Sequence, residues 1–166
     1  MHYFSYGSNM SIKRLLDRAP SARKVSIGIL EGHELKFHKI SNNDGSAKCD
    51  AKHTGNPEHL VYGVVFQISP DDKFKLDGKE GLGCGYDQKD VLIKLNDGSV
   101  IEAYTYYATK IDSTLMPLDW YKEHVIRGAK ENDLPSEYIR VIEEIESIDD
   151  ADIERRDREL LIYRYL

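Results

Sequence analysis

Tyr3-Phe4-Ser5-Tyr6-Gly7-Ser8-Asn9-Met10 is the stretch on which the reading of this chain turns. Residues 2–6 are rich in aromatic side chains and read as a strand that ends at Gly7, where the absent Cβ frees the backbone to turn. Ser8 to Ser11 make the turn, and Ser11 stands where it can cap a short helix carrying Ile12, Leu15 and Leu16, which Pro20 stops. A strand that gives way to a glycine turn and then a helix offers backbone N–H groups near a helix N-terminus, where carboxylates and oxyanions bind. On spacing alone, an ordinary turn with Ser8 or Asn9 as a local cap accounts for the same residues and is the commoner case.

Working outward, 25–30 and 33–40 read as strands on either side of Glu31-Gly32. The polar segment 41–59 contains Asn42-Asn43-Asp44-Gly45 and Gly55-Asn56-Pro57 and reads mostly as loop, with at most a short strand at 47–51. Residues 60–68 are nearly all apolar and predict a strand covered on both faces. Ser69-Pro70-Asp71-Asp72 opens a helix, with a capping serine, a proline in the first turn and acids that suit the dipole. That helix carries Phe74 and Leu76 and runs toward Glu80.

Glycines 81, 83 and 85 then interrupt regular structure. Val91, Ile93 and Leu95 alternate with polar residues, Asn96-Asp97-Gly98 turns a hairpin, and 100–108 returns as a strand. The last third is helical: Leu118, Tyr121, Val125 and Ala129 recur on one face, and Pro135 starts a second helix with Tyr138, Ile142 and Ile145. Strands come early and helices late, which defines an α+β class. Several of the strands have the length to close into a small barrel. The organisation expected is one domain over 1–148 and a charged extension over 149–166, either a final helix that docks or a frayed tail.

Composition narrows the function. The chain has 166 residues, 40% apolar and 31% charged, an ordinary balance for one globular domain. Its net charge is −6 and no Lys/Arg stripe stands out, so neither a grip on nucleic-acid phosphates nor docking on an anionic membrane is expected. The start lacks a basic leader followed by a long apolar core, and no apolar run suffices to span a bilayer, which points to the cytoplasm. Cys49 and Cys84 make no disulfide framework and read as free thiols.

Further residue groups invite chemistry. In Leu76-Asp77-Gly78-Lys79-Glu80-Gly81, Glu80 ends a helix among Phe74, Leu76 and Leu82, where partial burial would make its carboxylate a useful base; taken alone, a solvated surface glutamate is the commoner case. Cys49, His53 and His59 lie close in sequence, but their spacing matches no standard zinc pattern. Of the eleven tyrosines, Tyr104, Tyr106 and Tyr107 read as core or barrel wall, whereas Tyr86 and Tyr138 are placed to aim a hydroxyl into a pocket.

Together the opening Tyr-Phe-Ser-Tyr-Gly-Ser-Asn-Met, the segment 76–81, Tyr86 with Val91, and the stretch Gly128-Ala129-Lys130-Glu131-Asn132-Asp133-Leu134-Pro135-Ser136-Glu137-Tyr138 resemble the γ-glutamylcyclotransferase family over residues 2–146. The resemblance implies a small mixed β-barrel flanked by helices. It also implies no metal and no cofactor, and a reaction that turns a γ-glutamyl amide into 5-oxoproline with release of an amino acid or amine. The animal members are dimers, so a homodimer is one assembly it suggests. Carried over, Glu80 is the acid/base, and Tyr3, Phe4, Ser5, Tyr6, Gly7 and Ser8, with Asn9, line the γ-glutamyl site. Tyr138 and Tyr86 are further substrate contacts. The chain departs from the family in a longer 41–59 segment, a shorter glycine loop at 81–85 and an unmatched tail. Three alternatives stand beside this reading: a non-catalytic module of the same fold that grips a γ-glutamyl or amino-acid ligand, a cyclotransferase acting on γ-glutamyl amines, and, more weakly, a metal-dependent hydrolase using Cys49, His53 and His59.

Overall fold

The computed structural model describes residues 1–164. Five strands close a mixed barrel: β1 (His2–Ser5), β5 (Leu60–Gln67), β2 (Arg23–Glu31), β6 (Tyr86–Leu95) and β7 (Val100–Ala108), in that order around the wall. Each neighbouring pair is antiparallel except β7 with β1, which meet in parallel where Tyr3 stands opposite Tyr104 and complete the ring. Closure leaves the barrel without an open edge. The apolar run 60–68 earns its place between β1 and β2: Val61, Val64 and Val65 are fully buried there.

Two features go beyond the sequence reading. Strands β2 and β3 (His33–Ile40) are consecutive, yet they do not pair; β3 leaves the barrel and forms a two-stranded sheet with β4 (Ala47–His53). The segment read mostly as loop therefore contains a full seven-residue strand. Its inward side chains are Ala47, Cys49 and Ala51, all buried. Such small residues contribute little to a hydrophobic pattern, so the strand is set by what packs over it.

Helix α1 (Ile12–Arg18) follows a 3-10 turn at Ser8–Met10, and α2 (Pro70–Glu80) follows β5. Ser69 caps α2 by accepting from the Asp72 N–H, and Gly81, at φ 72°, ends it immediately after Glu80. Ser11 occupies the N-cap of α1 without capping it; its hydroxyl instead accepts from Tyr163 Oη at 3.1 Å. Helix α3 (Asp119–Glu131) packs across the 3-10 turn, and this contact requires a glycine. A Cβ on Gly128 would lie 2.5 Å from the Ser11 nitrogen and 2.6 Å from the Met10 Cβ. Asn132 at the end of α3 adds a hydrogen bond to the Met10 carbonyl at 3.0 Å. Helix α4 (Ser136–Glu144) closes the bundle through buried Ile142. No helix among the described residues is long and apolar enough to cross a membrane.

The charged tail forms α5 (Ile153–Leu160) and docks through polar contacts, having no buried residue of its own. Asp150 receives Arg155 through two bonds at 2.6 Å and the Trp120 indole at 2.7 Å. Glu159 pairs with Arg14 at 2.8 Å and lies 3.5 Å from His124. The His124 ring, fully buried on α3, also meets Tyr163 Oη at 2.7 Å. Burial first, opposed by the Glu159 contact, brings His124 down to about 4 from an ordinary 6.5. Hydrogen bonding to His124 and then to Arg14 holds Glu159 at about 2.

Both shifts have the same sign for stability. The neutral His124 contribution is whole above its unfolded value near 6.5 and is lost as pH falls through about 4. The Glu159 contribution is whole above 4.5 and is lost as pH falls through about 2. Thermal unfolding should therefore show a progressive fall in Tm on acidification from neutral pH toward about 4. Below about 4.5 the fall should continue toward about 2 in the wild type; Glu159→Gln should remove that further fall and raise amide exchange in α5 at neutral pH. A flat Tm over this range, or unchanged exchange, would refute the docking network.

Candidate active site

The strand period places the first residues. Tyr3 and Ser5 project to one side of β1 and line a small recess of about 30 Å³ at the barrel end, joined by Tyr6, Gly7, Ser8 and Asn9 from the turn. Phe4 points the other way, buried against the position of Gly63 on β5. Tyr86 and Tyr106 from the hairpin, Tyr121 from α3 and Cys49 from β4 supply the remaining wall.

Glu80 enters this recess from the end of α2. Its Oε1 accepts from Asn9 Nδ2 at 2.9 Å and from Arg18 Nη1 at 3.0 Å. Its side chain is 16% exposed, and among the described residues Oε2 takes no hydrogen bond. Of the expected apolar surround only Leu76 is buried; Phe74 is 81% exposed and Leu82 37% exposed. Polar groups from two other elements hold the carboxylate instead. Asn9 also donates to Tyr3 Oη at 3.2 Å, so one amide nitrogen links β1, the turn and α2.

Two buried polar atoms at this place have no hydrogen-bond partner among the described residues: Ser5 Oγ and Asn9 Oδ1. Unpaired buried polar atoms are costly, and here they line a hollow that a ligand can enter. The N–H groups of Ser8 and Asn9, in the first turn of the 3-10 helix, donate to no group among the described residues. Gly7 matters through space. A Cβ there would stand 3.1 Å from the Cys49 Cβ and 3.5 Å from Tyr121 Oη, so the turn lies almost directly on β4 and α3.

The walls are electrically quiet. Burial pushes the phenols of Tyr3, Tyr6, Tyr86, Tyr106 and Tyr121 upward and the Cys49 thiol up to about 12. Several hydroxyls are also committed to fixed partners: Tyr6 donates to the Tyr106 carbonyl, Tyr86 to the Cys49 carbonyl, and Tyr106 to Asp77 Oδ1 at 2.6 Å. Tyr121 Oη accepts the Cys49 N–H at 3.0 Å. Among the described residues that line the recess, Glu80 is thus the one carboxylate, set among phenols and a thiol that stay protonated.

The recess opens into a cleft of about 640 Å³, and the two share Ser8, Glu80, Tyr86 and Tyr121 as walls. The structure gathers Tyr3, Ser5, Tyr6, Gly7, Ser8, Asn9, Glu80 and Tyr86 around one hollow. It does not bring Phe4 or Tyr138 there. Tyr138 packs on Tyr62 with tilted rings, centroids 4.9 Å apart, and its buried hydroxyl has no hydrogen-bond partner among the described residues. Sequence reasoning missed Arg18, whose position at a helix end carries no sign of a distant partner, and treated Tyr106 and Tyr121 only as packing. Cys49, His53 and His59 diverge: Cys49 faces the recess, His53 packs on His33 and His59 bonds Thr54. Among the described residues, no three His, Cys, Asp or Glu side chains gather as a metal site.

Comparison with known proteins agrees with this geometry. Residues 60–142 match the AIG2-like family. The chain is 32% identical to gamma-glutamylcyclotransferases of Bos taurus and Homo sapiens over 154 residues, covering 89% of this chain and 79% of each relative. A solved structure of a gamma-glutamyl cyclotransferase, 28% identical, superposes with a TM-score of 0.87 over 99% of this chain and 98% of the other. The fold extends to YkqA from Bacillus subtilis, 20% identical with a TM-score of 0.70, of which this chain covers 56%. With identity of 32% sustained over most of both sequences and the barrel superposed end to end, the chain belongs to the γ-glutamylcyclotransferase family.

Proposed function

We propose that the protein is a γ-glutamylcyclotransferase that converts a γ-glutamyl amide to 5-oxoproline, with Glu80 moving the protons. The observation that carries this reading is the fixed Glu80 carboxylate, held through Oε1 by Asn9 and Arg18, in a recess that also holds the free acceptor Asn9 Oδ1. Two acceptors side by side suit the donors of a substrate α-ammonium. The N–H groups of Ser8 and Asn9 and the Ser5 hydroxyl suit the glutamyl carboxylate or the γ-carbonyl oxygen as it gains charge.

The steps balance without outside help. Glu80 takes one proton from the α-ammonium, and the freed amine attacks the γ-carbonyl of the same molecule. As the ring closes and the old C–N bond breaks, Glu80 passes that proton to the departing nitrogen. The second proton lost by the attacking amine also ends on the leaving group, which departs as an ammonium. The nucleophile is already tethered, so the site supplies orientation and proton transfer and needs no covalent enzyme nucleophile. For the same reason the route calls on no cofactor. The recess alone is too small for a glutamyl group, so the bent substrate would straddle recess and cleft, with its reacting end beside Glu80.

Glu80→Gln keeps the shape and the contact with Arg18 but removes the base. It should lower kcat for 5-oxoproline release by about 10²–10⁴ while leaving the circular dichroism spectrum and ligand binding largely intact. A near-wild-type rate would remove Glu80 from the mechanism. Gly7→Val should press the turn off Cys49 and Tyr121, raising KM several-fold and lowering stability by about 1–3 kcal/mol. An unchanged KM would count against the turn as part of the binding site.

A further inference from the structure

The outer cleft is at odds with the chain that forms it. The chain carries a net charge of −6, yet among the described residues seven Lys or Arg side chains and four Asp or Glu side chains line this cleft. Four of the cations are already answered: Arg14 by Glu159, Arg18 by Glu80, Lys48 by Asp44 and Arg155 by Asp150. Lys39 is not. The residue is 5% exposed, and among the described residues its ammonium has no hydrogen-bond or carboxylate partner; it rests 4.5 Å from the centre of the Tyr86 ring.

The fold places Lys39 there at a cost. A register shift in β3 between Phe37 and Lys39 re-aims the strand's side chains, and pairing with β4 sets Lys39 directly opposite Lys48. Like charges opposite one another on paired strands are destabilising. Asp44 neutralises Lys48 at 3.0 Å, which leaves Lys39 as a buried and unanswered positive charge on the cleft wall. Burial lowers the Lys39 value, while Glu80 and Asp44 oppose that effect. Tyr86, whose ring carries the ammonium, belongs to both recess and cleft. Lys39 therefore stands at the junction through which the departing half of a substrate must leave. Farther out, Lys79 and Arg158 are exposed on the same wall without a carboxylate partner among the described residues.

Resting on the cyclotransferase reading, we propose that Lys39 is a specificity residue for the leaving group, and that the cleft selects γ-glutamyl conjugates of acidic amino acids over their neutral isosteres. A leaving glutamate or aspartate carries two carboxylates, one to meet Lys39 and one to meet the outer cations. A leaving group with a single carboxylate leaves one of these charges unanswered.

The test compares γ-glutamyl-glutamate with γ-glutamyl-glutamine, which differ in charge and little in shape. Wild-type protein should favour the acidic peptide by about tenfold or more in kcat/KM, the scale of one charge-assisted hydrogen bond. Lys39→Met should bring that ratio close to one, chiefly through KM, and Lys39→Arg should retain most of it. Arg158→Ala, at an exposed position, should reduce the same ratio by several-fold and does not depend on the folding of a core variant. No preference in the wild type, or a preference that survives both Lys39→Met and Arg158→Ala, overturns the proposal. If neither peptide yields 5-oxoproline, the cyclotransferase reading fails, and calorimetric binding of the two peptides still decides charge selection. Tighter binding of the acidic peptide that Lys39→Met abolishes supports it, and equal binding overturns it.

Discussion

The clasp of Asn9 and Arg18 on a single oxygen of Glu80 is the contact around which the site is organised. It joins residues 71 and 62 positions apart in sequence and pins the end of α2 to the turn after β1 and to the end of α1. Ion pairs with this little exposure contribute weakly to stability, because desolvation offsets most of the attraction. Their effect here is positional. With Oε1 fixed, Oε2 has no hydrogen bond among the described residues, which leaves it available for the proton transfer proposed above.

The rest of the structure serves that placement. Barrel closure between β7 and β1 fixes the strand that delivers the turn, and the Thr105 hydroxyl reinforces it by bonding the Phe4 carbonyl at 2.8 Å. Helix α3 presses on the turn from behind, a contact that Gly128 alone makes possible. Helix α5 then adds the outer wall of the cleft through Asp152, Arg155, Arg158 and Glu159. Its attachment is mainly polar, with Leu160 packed partly buried on the core, so its hold on the domain depends on protonation more than the barrel's does.

Two electrostatic regimes meet at Tyr86. Inside, neutral phenols and a protonated thiol surround one carboxylate, the arrangement on which the proposed proton transfer rests. Outside, cations outnumber carboxylates in a chain that is acidic overall. A reaction that separates a ring product from a departing amine fits this division, since the two halves of the substrate then meet different fields.

Much of this was legible in the amino-acid order. The strand-glycine-turn opening, the Ser69-Pro70 helix start, the Asn96-Asp97-Gly98 hairpin and the helical periodicity of the last third depend on local backbone preferences, and local preferences survive without tertiary context. The family resemblance followed from the same segments. The full length of strand β4, the separate β3–β4 sheet, which of the two readings of the tail holds, the role of Arg18 and the exposure of Phe74 were not legible. Alanine and cysteine carry little pattern, an arginine at a helix end looks the same whether or not it has a partner, and a charged tail has no apolar stripe to announce its docking face. The sequence by itself determined which segments would be strand, turn or helix, because backbone and side-chain sterics act over a few residues. Only the tertiary structure decided which carboxylate would be held, by whom, and toward which hollow, because that outcome depends on electrostatic and packing contacts between residues far apart in the chain.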